Sequence, residues 1–337
     1  MKKANVAIFV PHLGCEHECS FCNQREIAGE EHIPTPQEIQ NTAKAALLTL
    51  GENAKNAEIA FFGGSFTAVD PALMVSLLEA ASPFTGSGGF KGIRISTRPD
   101  AVDADILTLL KRYNVTAVEL GAQSMNEQVL SLNRRGHTKQ DVTAASAMIK
   151  EFGFELGLQM MTGLYGSSTQ DDIMTAYEIA SLHPKTVRIY PTIVIEGTQL
   201  ARLYRAGSYT PPSLDETVRL CARLLKLFHE QGIAVIRLGL HAMPSLERNY
   251  VAGPWHPAFR ELCEGQIYLE RAQAALNELA AQKKLTENTV LLVNPKEVSK
   301  LAGQHRKNLS ALEAEYNTRL KIHGCELPVF TVKAQSN

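Results

Sequence analysis

Three of the six cysteines, Cys15, Cys19 and Cys22, stand in the spacing C-x3-C-x2-C. They follow a short apolar run in Phe9-Val10-Pro11-His12-Leu13-Gly14-Cys15-Glu16-His17-Glu18-Cys19-Ser20-Phe21-Cys22-Asn23. Thiolates are soft ligands that suit iron–sulfur clusters and zinc. Three on one loop after a strand can wrap a small inorganic core at the mouth of a parallel sheet. A four-iron cubane would keep one iron without a protein ligand. Cys221, Cys263 and Cys325 stand alone and far away, and their spacing supports no second cluster. A structural zinc on the three cysteines plus His12 or His17 is the competing reading. A disulfide is the weaker third, because it leaves an odd thiol and nothing suggests secretion.

A second group of candidates sits where apolar runs break. Gly63-Gly64 closes one run, and paired glycines let a ligand approach the main chain closely. Ser96, Gln123 and Gln159 lie at the ends of later runs, and Arg135 lies in the polar link Asn133-Arg134-Arg135-Gly136-His137-Thr138. Arg188-Ile189-Tyr190-Pro191 and Arg237-Leu238-Gly239-Leu240-His241 place cations at the ends of still later runs, which suits an anionic substrate. Taken singly, each of these polar residues also reads as a strand-end hydrogen bond or a salt bridge. The stretch 250–260 holds the only tryptophan, Trp255. It reads as a loop over the mouth or open side of the sheet, with His256 a packed loop histidine rather than a proton donor.

The elements that must position these residues alternate regularly. Strands are expected at 5–10, 58–62, 92–97, 117–120, 155–161, 186–191 and 234–238. Helices are expected at 36–50, 71–81, from 100 to 113, up to 152, and at 214–231. Thr35 reads as the N-cap of the first helix, with Pro36 at its first position and Glu38 at its third. Alternation of this kind predicts an α/β fold, a parallel sheet with helices packed outside. An open doubly wound sheet and a barrel fit it equally. No G-x-G-x-x-G follows the first strand, which speaks against a dinucleotide fold. In either architecture the site lies past the C-terminal ends of the strands.

Bulk properties set outer limits. The 337 residues suffice for one large α/β domain and a small appendage, or for two medium domains. With 34 basic and 35 acidic residues the net charge is −1, so no whole-protein basic field for nucleic acid exists, although a local patch can. No apolar run approaches the roughly 20 residues that span a bilayer. Lys2, Lys3 and Leu13-Gly14-Cys15 imitate a lipoprotein signal, but the run from Val6 to Val10 is too short and Pro11-His12 interrupts it. The reading is a cytoplasmic protein with no membrane partner.

The cysteine stretch resembles the signature of the radical S-adenosylmethionine (AdoMet) enzymes, which carry an aromatic residue, here Phe21, just before the third cysteine. The resemblance implies a [4Fe-4S] cluster on Cys15, Cys19 and Cys22, with AdoMet chelating the open iron through its amino and carboxylate groups. It implies a partial (β/α)6 TIM-type barrel, with room for one extra strand, and a reducing electron donor such as flavodoxin or ferredoxin. Within the superfamily the sequence is similar to the Elongator subunit 3 catalytic proteins and the oxygen-independent coproporphyrinogen oxidases. The stretches FFGGSFT (61–67), STRPD (96–100), ELGAQS (119–124), NRRGHT (133–138) and MMTGLYG (160–166) carry this likeness, over about residues 5–245. It implies AdoMet contacts from Phe21, Gly63, Gly64, Ser65, Ser96, Gln123, Arg135 and Gln159, with Arg135 pairing the methionine carboxylate. Ser65-Phe66 replaces the Glu-Pro of the family's Gly-Gly-Glu-Pro stretch, so a carboxylate is lost there. Ser96 and Gln159 replace a Glu and an Asp of the oxidases. Arg188, Tyr190 and Arg237 would face substrate.

The C-terminal part has a different texture. Residues 1–245 read as the barrel, 246–285 as an irregular loop and connecting helix, and 286–337 as a small α/β appendage. A strand at 289–293, a helix to 302, the loop Gly303-Gln304-His305-Arg306, a helix at 308–316 and strands at 319–322 and 328–332 resemble a K-homology RNA-binding unit. There a G-x-x-G loop clamps the sugar–phosphate backbone. Here Gly303 fits the first glycine and Arg306 replaces the second. RNA contact and a packing cap are both open readings of this unit.

Three functions follow: a radical AdoMet enzyme that modifies tRNA or rRNA, one that acts on a small anionic metabolite such as a tetrapyrrole, and a non-catalytic metal-bearing RNA-binding module. Within these 337 residues the reading expects neither the acetyltransferase domain of Elongator subunit 3 nor the large C-terminal domain of the oxidases.

Overall fold

Seven apolar stretches form a single parallel sheet in the computed structural model, which describes residues 4–10, 15, 19–23, 32–240 and 244–336. The strands are β1 (Ala4–Val10), β2 (Ala57–Gly63), β3 (Gly92–Thr97), β4 (Val115–Gln123), β5 (Glu155–Thr162), β6 (Thr186–Pro191) and, after the two-residue strand β7 (Val194–Ile195), β8 (Ala234–Leu238). Their order in the sheet is β1-β2-β3-β4-β5-β6-β8, so spatial order follows chain order. The sheet curls into a partial barrel, the expected architecture with one strand beyond six.

Helices α1 (Pro36–Leu50), α2 (Pro71–Ala81), α3 (Ala104–Arg112), α4 (Glu127–Leu132), α5 (Lys139–Glu151), α6 (Thr169–Ser181), α7 (Gln199–Arg205) and α8 (Leu214–Glu230) make the crossovers. Their starts follow local chemistry. Thr35 and Glu38 form the expected capping box on α1, and Thr138 with Asp141, Ser168 with Asp171 and Ser213 with Glu216 repeat it on α5, α6 and α8.

The two faces of the sheet differ. Outward residues such as Ile93 and Ile95 join the apolar core beneath the helices. The inner face holds ion pairs. Arg94 is 1% exposed, its Nη2 lies 2.7 Å from Glu58 Oε2, and its Nη1 lies 3.0 Å from Glu119 Oε1. Buried charges persist only when paired in this way, and removing one partner strands the other.

Beyond the sheet come α9 (Pro244–Asn249), β9 (Tyr250–Ala252), α10 (Phe259–Ala281), β10 (Thr289–Val293), α11 (Val298–Ala302), α12 (Lys307–Glu315), β11 (Leu320–Gly324) and β12 (Val332–Ser336). The stretch 250–260 is more ordered than a loop. Its β9 pairs antiparallel with β7, just past the C-terminal end of β6, and Trp255 packs on a small cluster of Ile193, Ile195 and Leu246. His256 is half-buried, its Nδ1 accepting the Ala258 N–H at 3.1 Å. In the C-terminal sheet β10 is central, parallel to β11 and antiparallel to β12. Its residues Leu291 and Val293, with Leu301, Leu309 and Leu312, belong to the same buried cluster as the barrel core.

The last strand corrects an expectation, since it runs over Val332–Ser336 rather than 328–332. Phe330 has φ +60°, its N–H donates to the Tyr268 hydroxyl at 2.9 Å, and its ring meets Tyr268 and His229. That anchorage on α10 and α8 bends the chain away from the sheet before the strand begins. Among the described residues no helix is long and apolar enough to cross a membrane.

Candidate active site

Cys15, Cys19 and Cys22 are half-buried thiols outside any disulfide, beyond the end of β1. The segment 19–22 is a turn closed by the Cys22 N–H on the Cys19 carbonyl at 3.1 Å. Asn133 holds that turn from below. Its carbonyl takes the Ser20 N–H at 3.1 Å, its Oδ1 takes the Ser20 hydroxyl at 2.6 Å, and its Nδ2 donates to Tyr165 O at 2.8 Å. The Leu200 N–H donates to Ser20 O, and Phe21 packs beside Tyr165, Val194 and Tyr209. The motif aromatic is thus a packing anchor of the loop. Asn133, which no reading of the sequence singled out for this task, ties the NRRGHT link to the cysteines.

Two cations and one amide border the sulfurs. Arg135 donates from Nη1 to Cys19 Sγ at 3.0 Å and from Nη2 to Gly121 O at 2.8 Å. It is 7% exposed, and its Nε is buried with no partner among the described residues. Burial pushes the Cys15 thiol up and Cys19 adds to the rise, while the Ser65 backbone N–H, Arg135 and Arg98 pull it down. A soft three-sulfur set beside a buried guanidinium with an unanswered N–H suits a thiolate-bound group that carries an anionic ligand. On this test the residues fit an iron–sulfur cluster with AdoMet. Among the described residues no three His, Cys, Asp or Glu side chains converge as a site for a single ion. His12 and His17, which the zinc reading needs, lie outside the described residues.

The strand ends supply the rest. Gly63 has φ +122°, and a Cβ there would fall 2.4 Å from Val10 O, so only glycine lets β1 close on β2 at the cysteine loop. The Gly64 N–H is taken by Val10 O at 3.1 Å, so it is not a donor for a ligand. Ser65 is 2% exposed, and its hydroxyl bonds Thr97 Oγ1 and accepts the Arg98 N–H. Its side chain therefore braces the turn, and its main chain is the part that faces Cys15. Gln123 and Gln159 come together, Gln159 Nε2 donating to Gln123 Oε1 at 3.2 Å. A Cβ on Gly121 would sit 3.0 Å from Gln123 Nε2 and 3.4 Å from Arg135 Nη2, so the two side chains flank that glycine. Ser96 lies deeper, its hydroxyl 3.4 Å from Glu119 Oε2.

Of the three residues expected to face substrate, Arg188 is committed elsewhere. It grips Glu119 through Nε at 2.8 Å and Nη2 at 3.3 Å, with its guanidinium 4.7 Å over the Phe62 ring. Glu119, the first residue of ELGAQS, is the partner that the motif did not reveal. Arg237 is half-buried, bonded through Nε to Gly239 O, and near Tyr190. It lines a cleft of about 480 Å³ with Leu240, Arg260, Glu264 and Lys300, along the edge strand β8. Gly303 and Arg306 lie in the separate C-terminal loop. Gly303 has φ +76°, and a Cβ there would strike Asn308, whose Nδ2 bonds Gly265 O, so packing explains that glycine. His305, Arg306 and Lys307 are exposed.

Three buried titratable groups, Asp172, Tyr209 and His137, lie at the ends of β5 and β4. Asp172 Oδ2 accepts the Gly163 N–H at 2.8 Å, and its Oδ1 accepts the Ser167 hydroxyl at 2.6 Å. Burial nevertheless raises its carboxyl from 3.8 to about 6, with Asp171 adding to the rise. Tyr209 donates to Gly163 O beside it, and burial followed by Asp172 pushes that phenol up. His137 is shifted the other way. Burial, then Arg135, lowers it from 6.5 to about 4, against the Ala122 carbonyl, Asp100 and Asp141.

Folding therefore takes up a proton at Asp172 and releases one at His137 over nearly the same interval. The Asp172 contribution to stability falls as pH rises from 3.8 to about 6, whereas the His137 contribution grows as pH rises from about 4 to 6.5. Each is on the order of 3 kcal/mol, so in the wild type they largely cancel. Asp172→Asn removes the first. Its unfolding free energy should climb about 3 kcal/mol more than the wild type's across that interval. Urea titrations at several pH values test this, and parallel profiles for the two proteins would sink the Asp172 assignment.

Comparison with known proteins bears on what the arrangement does. Residues 9–180 match the family described as the Radical SAM superfamily, and residues 184–270 match the Radical_SAM C-terminal domain. A tRNA uridine(34) acetyltransferase of Dehalococcoides mccartyi is 26% identical over 239 residues, covering 61% of this chain and 52% of that protein. Human Elongator complex protein 3 is 30% identical over 201 residues, covering 54% of this chain and 37% of that protein. The chain thus spans about half or less of the length of these relatives. The solved archaeal Methanocaldococcus infernus Elp3, lacking residues 1–46, superposes with a TM-score of 0.62 at 22% identity, covering 81% of this chain and 63% of that one. That superposition shows the fold.

Proposed function

The chain belongs to the radical SAM superfamily, and from that premise we propose that it is an RNA-modifying member that holds its cluster on Cys15, Cys19 and Cys22. The family works with a [4Fe-4S] cluster and AdoMet, and the chain is an enzyme of that kind. When bound, the cluster supplies the one electron that splits the AdoMet sulfonium into methionine and a 5′-deoxyadenosyl radical. The observation that carries the assignment is Arg135, buried against Cys19 Sγ with its Nε unanswered.

In this proposal Arg135 orients the methionine carboxylate through its unpartnered Nε–H, its two Nη atoms being held by Cys19 Sγ and Gly121 O. Gln123 and Gln159, already bonded to each other, offer their remaining amide groups to AdoMet, while Gly63 and Ser65 shape the turn that meets Cys15. Phe21 and Asn133 keep the cysteine turn seated when the loop is loaded. The ion pairs beneath, from Glu58 through Arg94 and Glu119 to Arg188, form a rigid floor. Tyr190 and Arg237 are left as the groups that meet substrate. Residues 1–245 would be the catalytic barrel, 246–285 the connector and 286–337 the RNA-facing unit. A cytoplasmic setting and a reductant such as flavodoxin or ferredoxin belong to the same proposal.

RNA is favoured as substrate because two of the relatives carry tRNA or Elongator functions in their names and because His305, Arg306 and Lys307 stand exposed together. The test is 5′-deoxyadenosine formation by anaerobically reconstituted protein, with and without total tRNA and with a tetrapyrrole control. Stimulation by tRNA is expected. Arg306→Glu should weaken tRNA binding roughly tenfold at moderate salt and flatten its salt dependence. Turnover indifferent to RNA would overturn this substrate and favour a small anionic molecule, the second reading, for which half-buried Arg237 in its cleft is the supporting observation.

A further inference from the structure

The end of β4 holds a strained turn. Gln123 has φ +64°, and the Ser124 N–H donates back across it to Ala122 O at 2.8 Å. That bond between residues two apart, around a positive φ, is the rare and strained kind of γ-turn. A non-glycine residue held this way is strained and persists only where its surroundings over-determine it. Here the pairing of β4 with β5 also slips, Gly121 facing Gln159 and Gln123 facing Met160.

Two contacts pin the turn. Downstream, Thr175 Oγ1 on α6 accepts the Met125 N–H at 3.1 Å. On the turn itself, Ala122 O receives a second bond, from His137 Nε2 at 3.2 Å. A carbonyl only accepts, so Nε2 carries the proton and Nδ1 carries the lone pair. His137 is 4% exposed, and its Nδ1 has no partner among the described residues. One imidazole N–H thus clamps the carbonyl on which the turn closes, from the same link that carries Arg135.

We propose that His137 is a positioning residue of the AdoMet site, its Nε2–H holding the β4 turn that sets the Gln123 amide beside Arg135 over Gly121. The inference rests on the reading of Gln123 and Arg135 as AdoMet contacts. Without the clamp the turn relaxes, Gln123 leaves Gln159 and Arg135, and the site loses its preformed shape while the cysteine turn, held by Asn133, stays in place.

The test compares reconstituted wild type, Arg135→Ala, His137→Phe and His137→Gln by AdoMet calorimetry, iron and sulfide content, and the electron paramagnetic resonance spectrum of the reduced protein with AdoMet added. His137→Phe is expected to weaken AdoMet at least tenfold and to change the AdoMet-dependent spectrum with full iron content. His137→Gln, whose amide can reach the same carbonyl, should restore both. His137→Met replaces the Phe variant if that does not fold. Wild-type affinity in the apolar variant overturns the proposal, as does failure of Gln to rescue or an affinity loss that merely follows loss of iron. Absence of AdoMet binding in the wild type, or none lost in Arg135→Ala, would instead overturn the underlying reading and the inference with it.

Discussion

Cys19→Ala yields a folded protein with no cluster and no detectable 5′-deoxyadenosine. The expectation separates ligand loss from collapse of the loop. The turn at 19–22 is closed by a main-chain bond and seated through Ser20 on Asn133 and through Phe21 on its apolar neighbours, none of which needs the Cys19 sulfur. The sulfur itself meets Arg135. Removing it leaves two thiolates for a core that needs three protein ligands and AdoMet, so the loss should be complete rather than graded. Iron, sulfide and zinc analysis, near-ultraviolet and visible absorbance, and a melting curve check it. The control is Cys221→Ala. That thiol is fully buried between helices, so its variant should keep the cluster and lose only packing stability. A Cys19→Ala protein that retains four irons would overturn the ligand assignment, and about one zinc per wild-type chain with no chromophore would revive the non-catalytic reading.

Arg135→Ala should bind AdoMet 10- to 100-fold more weakly while keeping its iron. A hydrogen bond to a charged group is worth about 1.5–3 kcal/mol, and each 1.4 kcal/mol is a factor of ten. Arg135 offers Nε for a new partner while its two Nη atoms hold Gly121 O and Cys19 Sγ. Arg135→Lys should not rescue it, because one ammonium on a flexible stem cannot serve three directions at once. Calorimetry on reconstituted protein measures the affinity. An unchanged dissociation constant would remove Arg135 from the AdoMet site.

Legibility from the sequence varied with the range of the interaction concerned. Strands at 92–97, 186–191 and 234–238 and the helix at 71–81 are found within the bounds expected of them. Helix α6 was not anticipated, although Ser168 and Asp171 spell its capping box. That signal is local and readable from the chain alone. The partners of Arg188 were different. Nothing near Arg188 in the chain points to Glu119, sixty-nine residues earlier, and a cation at a strand end reads the same whether it awaits substrate or fills a barrel floor. The left-handed Gln123 was likewise unreadable, because no glycine marks it and contacts from α6 and His137 impose it.

The sequence alone determined three closely spaced thiols, the alternation of strand and helix and therefore a parallel sheet. These depend on residue type and on spacings of a few residues, where side-chain period and capping act. Only the tertiary structure decided which polar groups are already bonded to protein and which remain for a ligand. Ser65 and Arg188 are bonded to protein, whereas Arg135 keeps a buried N–H without a partner. That distinction arises because burial charges a polar group its full desolvation unless a partner arrives, and the partners arrive from strands and helices distant in the chain.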